Sequence, residues 1–307
     1  MSLIVTGSIG IDTVHTPDGQ QRENILGGSA VYFSAAASLY SPVRLVAAVG
    51  DDFPPELRGV FERFDGIDLE GLETREGSKT FRWGGKYHED MNQRDTLFTE
   101  LGVLGEAPAP VPDSYKDSRA VFLANSHPAV QMDLLANLPS ATLSVADTMN
   151  LWIDIAKPEL TELLGKVTGL VLNNEEAEQF TGKKNPVTAA RHILEHGPRF
   201  VVVKKGEHGA LLVHRDGLAA LPAFPVEKVV DPTGAGDSFA GGMMAHLAAS
   251  QAQSADVSFD AIRRSMAHGT IIASFAIESF SLDRLVEITK ADVDARYDEY
   301  ASMVRLD

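Results

Sequence analysis

The run from Val229 to Gly242, Val-Val-Asp-Pro-Thr-Gly-Ala-Gly-Asp-Ser-Phe-Ala-Gly-Gly, constrains this chain more than any other stretch. Pro232 has no amide hydrogen to give to a strand ladder, so Asp231 closes the extended segment before it. Gly234, Ala235 and Gly236 carry little or no side chain, which lets a ligand approach their backbone. From Asp237 the apolar spacing turns helical, through Phe239, Met243, Met244 and Leu247. A helix start leaves its first N–H groups without intrahelical partners and carries the positive end of the helix dipole. Such a turn holds an anion, most often a phosphate. Asp237 then stands beside the anion with its carboxylate exposed. A carboxylate there is badly suited to binding phosphate and well suited to taking a proton from a hydroxyl that attacks phosphorus. The competing reading is a tight turn with Asp237 as a capping carboxylate.

Around this run the chain alternates strand and helix, which argues for a parallel sheet. Apolar runs predict strands at 3–6, 44–49, 120–124, 141–145, 169–172 and 200–203. Helices are expected after Gly28, from Pro54 to about 64, from near Pro128, Pro158 and Asn174, and over 187–195. Residues 259–278 read as one or two helices around Gly269, and 290–303 as a C-terminal helix. The segments 13–26, 80–87 and 96–101 look like a small separate sheet, and 107–112, with three prolines, like the return to the main domain. Asp12, just past the first strand, and the loops 125–128 and 147–150 follow strand ends, where open α/β sheets bind ligands. Asp12 could equally cap a turn.

Charge narrows the partners. A formal net charge of −16 over 307 residues repels nucleic acid and anionic membrane surfaces. The absence of cysteine excludes disulfides, thiolate catalysis and Cys-ligated zinc. No leader-like N-terminus and no apolar run of membrane-spanning length is seen, so a cytoplasmic enzyme is expected. No Walker A loop exists, and Phe239 stands where a Rossmann fingerprint needs its third glycine, so neither alternative phosphate motif competes.

The full Asp-Pro-Thr-Gly-Ala-Gly-Asp-Ser-Phe run followed by Gly241-Gly242 resembles the signature of the ribokinase-like sugar kinases, also called the PfkB family. Gly27-Gly28-Ser29-Ala30 is similar to the first signature of that family, and Val49-Gly50-Asp51-Asp52-Phe53 to another of its segments. The resemblance implies a three-layer α/β/α domain with a mostly parallel central sheet, formed by residues 1–12, 27–78 and 108–307. A small β lid of residues 13–26 and 79–107 would close over the sugar. The implied reaction moves the γ-phosphoryl of ATP to a hydroxyl of a sugar or sugar-like substrate.

Residue by residue, the resemblance implies Asp237 as base and Gly234, Ala235 and Gly236 as the anion hole. Asp12, Gly27 and Gly28 would contact the sugar, with Arg82, Trp83 and Tyr87 as lid residues able to face it. Trp83 could instead cover the apolar underside of the lid. Asn173 and Glu176 match an N-x-x-E motif that helps place Mg²⁺, although they also read as an ordinary acidic first helical turn. Lys204, Gly206 and Gly209 would meet the nucleotide phosphates, and His268 and Gly269 the adenine. Asp231 and Thr233 match positions near a monovalent cation such as K⁺. Trp152 stands where many members carry an arginine. Ser29 and Tyr32 stand where ribokinase has Lys and Asn, a departure that bears on ribose as the acceptor. A homodimer through the lid is in keeping with relatives. Two rivals stay open: a nucleoside kinase of the same fold, and a non-catalytic sugar- or nucleotide-binding regulator.

Overall fold

The computed structural model describes residues 1–250 and 257–305. Its strands are β1 (Leu3–Thr6), β2 (Gly10–His15), β3 (Gln21–Gly27), β4 (Val43–Gly50), β5 (Ile67–Arg75), β6 (Phe81–Tyr87), β7 (Arg94–Glu100), β8 (Ala120–Leu123), β9 (Leu143–Ala146), β10 (Gly169–Asn173), β11 (Phe200–Lys204), β12 (Ala210–His214) and β13 (Gly217–Leu221). Nine of them form one sheet in the order β13-β12-β11-β10-β9-β8-β1-β4-β5. From β5 to β11 the neighbours are parallel, and β12 and β13 append an antiparallel edge. The remaining four form a second sheet in the order β3-β2-β6-β7. This is the ribokinase-like architecture that the sequence predicts.

The central strands read as unbroken apolar runs because both of their faces are covered. Leu3, Val5, Phe122 and Val202 feed one core, beneath the helices Ser29–Ser38, Ala235–Ser250 and Phe259–Ala276. Their alternates Ile4, Val121, Leu123 and Val201 feed the other, beneath the helices between Pro128 and Leu194. Phe33 stacks on Phe122 with ring centroids 4.5 Å apart, which ties the first helix to the sheet centre.

Several findings differ from the sequence expectation or sharpen it. Strand β5 falls between 64 and 80, where no strand is expected; its half-exposed, charge-rich alternation is that of a sheet edge. The lid sheet also begins at Gly10 and ends its second strand at Gly27. Asp12 and Gly27 are therefore lid-strand residues, although the expected boundary put both in the main domain. The 259–278 segment is one unbroken helix, Phe259–Ala276.

On the outer side of the helical layer, His268 lies between two rings. It stacks on His246 at 3.7 Å and on Tyr297 at 4.2 Å, and its Nδ1 is 3.1 Å from the Tyr40 hydroxyl. Burial, aided by nearby positive groups, lowers the His268 pKa to about 3 and that of His246 to about 4. Below their ordinary value of 6.5 the unfolded chain takes up protons that the folded chain refuses. This stability is complete above about pH 6.5 and lost as pH falls toward the folded values. Replacing His268 by phenylalanine, which keeps a stackable ring, should flatten the fall of the urea midpoint between pH 7 and pH 4.5; an unchanged slope would refute the assignment.

Candidate active site

The C-terminal ends of the parallel strands and the start of the Ala235–Ser250 helix meet in one cleft. At its centre is the Pro232-Thr233-Gly234 turn. Gly234 has φ 72°, a left-handed conformation, and a side chain there would enter the ring of Tyr32. Tyr32 is therefore packing, fully buried under the turn. The Ala235 N–H donates to the Pro232 carbonyl at 3.2 Å, and Ser238 N–H to the Gly234 carbonyl at 2.8 Å. Among the described residues, the Gly234 and Gly236 amides have no protein acceptor. This corrects the expected hole at one position: Ala235 closes the turn, and Gly234 and Gly236 keep free amides.

Lys204 ends β11 and reaches this tip. Its Nζ lies 2.6 Å from where a β-carbon on Gly236 would stand, so the ammonium lies against the backbone of the tip. Asp237, in the first turn of the helix, is half-buried. Burial raises its pKa, while Lys204 and then Arg94 pull it back. Beside it, Asp147 follows β9; burial and the Asp237 charge raise its pKa well above the ordinary carboxylate range.

Asn173 and Glu176 realise both readings of their segment at once. Asn173 Oδ1 accepts the Glu176 N–H at 2.8 Å, and Glu176 Oε2 accepts the Asn173 N–H at 2.7 Å, a reciprocal capping box. The remaining oxygen of Glu176 stays available. Burial raises its pKa, and Lys204, register partner of Asn173, opposes the rise. Asp147 Oδ1 is buried without a hydrogen-bond partner. Among the described residues no three His, Cys, Asp or Glu side chains converge to hold a metal alone. The oxygen donors of Asp147 and Glu176 beside a phosphate site suit Mg²⁺, which keeps several waters and takes few protein ligands.

On the opposite wall Asp12 is buried with Oδ1 unpartnered. Its pKa rises to about 8, from burial first and then from the charges of Asp231 and Asp237. Gly27 is glycine because its neighbour is the Asp12 carboxylate. Gly28, at φ 104°, caps the first helix against the Ser8 carbonyl. Asp231 holds the central turn by accepting the Thr233 N–H at 2.9 Å, and its Oδ2 is buried without a partner. Thr233 Oγ1 is 3.0 Å from the Tyr87 hydroxyl, so the lid rests directly on the turn.

Several expected residues fall elsewhere. Strand alternation puts Arg82 on the lid face opposite Asp12 and Trp83, where it meets Asn24 at 3.3 Å and Asp52 at 3.8 Å. His268 and Gly269 lie halfway along the Phe259–Ala276 helix. Gly269 meets the Phe239 carbonyl in helix packing and His268 sits in the ring stack, so the contacts both make are packing contacts. The helix runs back from the cleft, and its site-facing end lies at Ile277, whose carbonyl accepts from Val230. Gly206 (φ 55°) and Gly209 (φ 81°) bound a tight turn after Lys204, with Gly209 packed on the Leu221–Ala223 backbone. Trp83 covers Gly85 of its own strand and remains half-exposed at the cleft. Trp152 is buried and donates to Asn125 Oδ1 at 2.7 Å, away from any phosphate role. Sequence reasoning missed Asp147 and Arg94 as site residues. Asp147 carried a signal, its place after a strand end; Arg94 carried none that is local.

Residues 119–287 match the model of the pfkB family carbohydrate kinases. The chain is 33% identical over 253 residues to a cytidine kinase of Thermococcus kodakarensis, covering 80% of this chain and 88% of that one. It is 28% identical over 230 residues to a nucleoside kinase of Methanothermobacter thermautotrophicus, covering 73% and 72%. Among solved structures, the Burkholderia thailandensis nucleoside kinase in complex with inosine superposes with a TM-score of 0.78 at 20% identity, covering 98% of this chain and 99% of that one. A putative ribokinase II from E. coli in complex with ATP and Mg²⁺ superposes with a TM-score of 0.75 at 18% identity, covering 97% and 99%. The chain thus belongs to the pfkB family of carbohydrate kinases, ATP-dependent enzymes that phosphorylate a hydroxyl group of a sugar or nucleoside.

Proposed function

We propose that this enzyme transfers the γ-phosphoryl group of ATP to a sugar hydroxyl of a nucleoside, with Asp237 as the general base. The observation that carries the chemistry is the juxtaposition at the helix tip. Two free amides and the Lys204 ammonium mark the place of a phosphate, and the Asp237 carboxylate stands next to it. Asp237 takes the proton of the attacking hydroxyl. The Gly234 and Gly236 amides and Lys204 stabilise charge on the transferred group. Asp12, with its unpartnered oxygen, orients the acceptor's hydroxyls. Asp147 and Glu176 would hold Mg²⁺ through oxygens and water, and the ion, when bound, neutralises phosphate charge. A monovalent cation such as K⁺ beside the buried Asp231 Oδ2 and Thr233 is the matching proposal for that wall.

The nucleoside reading rests on the cytidine kinase and nucleoside kinase likenesses, which span most of both chains. A binding protein has no use for a base beside a phosphate, so Asp237 speaks for an enzyme. Contact between copies through the lid would use its edge strand, where Leu97 and Phe98 are exposed. No helix of the described residues is long and apolar enough to cross a membrane, and a cytoplasmic setting goes with ATP consumption.

Two tests follow. Assayed with ATP and Mg²⁺ against nucleosides, pentoses, hexoses and inositols, the enzyme should turn over a nucleoside best. Asp237→Asn should lower kcat by roughly 10²–10⁴-fold with the fold intact; near-normal turnover would remove Asp237 from the role. Asp12→Asn should separate stability from binding. A carboxyl whose folded pKa is raised to about 8 favours folding fully only below its unfolded value of 3.8, and that support is lost as pH rises through 8. The amide variant should therefore melt about 2–4 °C higher at pH 8. It should also bind the nucleoside roughly 10–100-fold more weakly, and an unchanged affinity would take Asp12 out of the acceptor site.

A further inference from the structure

The lid brings one cation to the cleft that the reading above leaves unused. Arg94 opens β7 and is the register partner of Tyr87 in β6, so the two side chains share a face of the lid sheet. That face meets the central turn, since the Tyr87 hydroxyl is 3.0 Å from Thr233 Oγ1. The same β6–β7 hairpin also touches the far side of the anion site. Asn92 Oδ1 lies 3.0 Å from where a β-carbon on Gly206 would stand, two residues past Lys204. The hairpin thus touches both the central turn and the turn that follows Lys204, and Arg94 sits across from Tyr87 at the first of these contacts. The guanidinium lies over Trp83, 5.7 Å from the ring centroid.

Arg94 is also unpaired. Arg75, Arg284 and Arg296 each hold a carboxylate within 3.3 Å, whereas among the described residues Arg94 has neither an ion-pair nor a hydrogen-bond partner for its side chain. Its charge is nonetheless felt across the cleft, where it lowers the pKa of both Asp237 and Glu176. The charge balance of the site explains the need. A triphosphate must enter beside Asp237, Asp147 and Glu176, and the main domain offers Lys204 as its counter-charge there. Trp152, buried on Asn125, adds none.

We propose that Arg94 is a catalytic residue delivered by the lid: its guanidinium contacts the oxygens of the transferred phosphoryl group, so full charge neutralisation exists only when the lid is closed. The proposal rests on the kinase reading. In the step itself the bond from the γ-phosphorus to the β–γ bridging oxygen breaks and its electrons leave with ADP. The acceptor oxygen bonds to phosphorus, its proton goes to Asp237, and Arg94 stays charged throughout. A guanidinium suits this place because its planar fork can hold two phosphoryl oxygens at once.

The test compares the full-length wild type with Arg94→Ala and Arg94→Lys in two arms. In the kinetic arm, Arg94→Ala should lose on the order of 10²–10³-fold in kcat with the nucleoside KM little changed. Arg94→Lys should fall between the two, and added guanidinium ion should restore part of the alanine variant's rate. In the binding arm, which needs no acceptor, Arg94→Ala should weaken a non-hydrolysable ATP analogue about tenfold and leave ADP affinity nearly unchanged. A kcat within about threefold of wild type, or equal losses for ADP and the analogue, would overturn the role of Arg94. If the wild type phosphorylates no member of the substrate panel, the acceptor reading fails, and the binding arm still decides Arg94 by itself.

Discussion

Asp12, Asp147, Asp231 and Asp237 share one cleft, and burial raises the pKa of every one of them. Removing carboxylates from water is costly unless they are paired or hydrogen-bonded. Here they are neither, in full: Asp12 Oδ1, Asp147 Oδ1 and Asp231 Oδ2 are buried orphans. Such groups in a native structure need an explanation, and a polar ligand supplies it. The helix tip and Lys204 provide the counter-field that makes this crowding tolerable. On the proposed reading, a substrate that brings hydroxyls to one wall and a phosphate with its cation to the other would satisfy these groups.

The lid belongs to the same electrostatic problem. Asp12 is a strand residue of the second sheet, and its carboxyl lies close enough to Asp231 and Asp237 of the main domain to feel their charge, so both sheets contribute to the cleft. The hairpin that carries Tyr87 and Arg94 rests on the central turn through the Tyr87–Thr233 hydroxyl contact and a small apolar cluster in which Tyr87, Trp83 and Met91 pack with Val230 and Phe280. A contact this small is easily made and broken, in keeping with the lid closure proposed above.

What was legible in the sequence was local. The turn at 231–237, the capping pair Asn173 and Glu176, and Lys204 at a strand end could all be read from neighbours a few residues apart. The two-faced strands gave unbroken apolar runs, so the parallel sheet was legible too. Residues whose role depends on pairing were misjudged. Arg82 and Trp83 are adjacent in sequence, and one step along a strand turns a side chain to the opposite face. His268 and Gly269 looked like neighbours of the adenine until the antiparallel packing of two helices put Gly269 against Phe239 and His268 into a ring stack.

The sequence by itself determined the fold class and the glycine-rich helix tip with Asp237 in its first turn, because each is encoded by spacing between near neighbours along the chain. The tertiary structure alone decided which side chains surround that tip. Arg94, Asp12, Asp147 and Lys204 come from distant segments, and only strand register and sheet order bring their charges within reach of one another. Electrostatic energy depends on those through-space distances and on exclusion of water, and neither quantity is written in the order of residues along the chain.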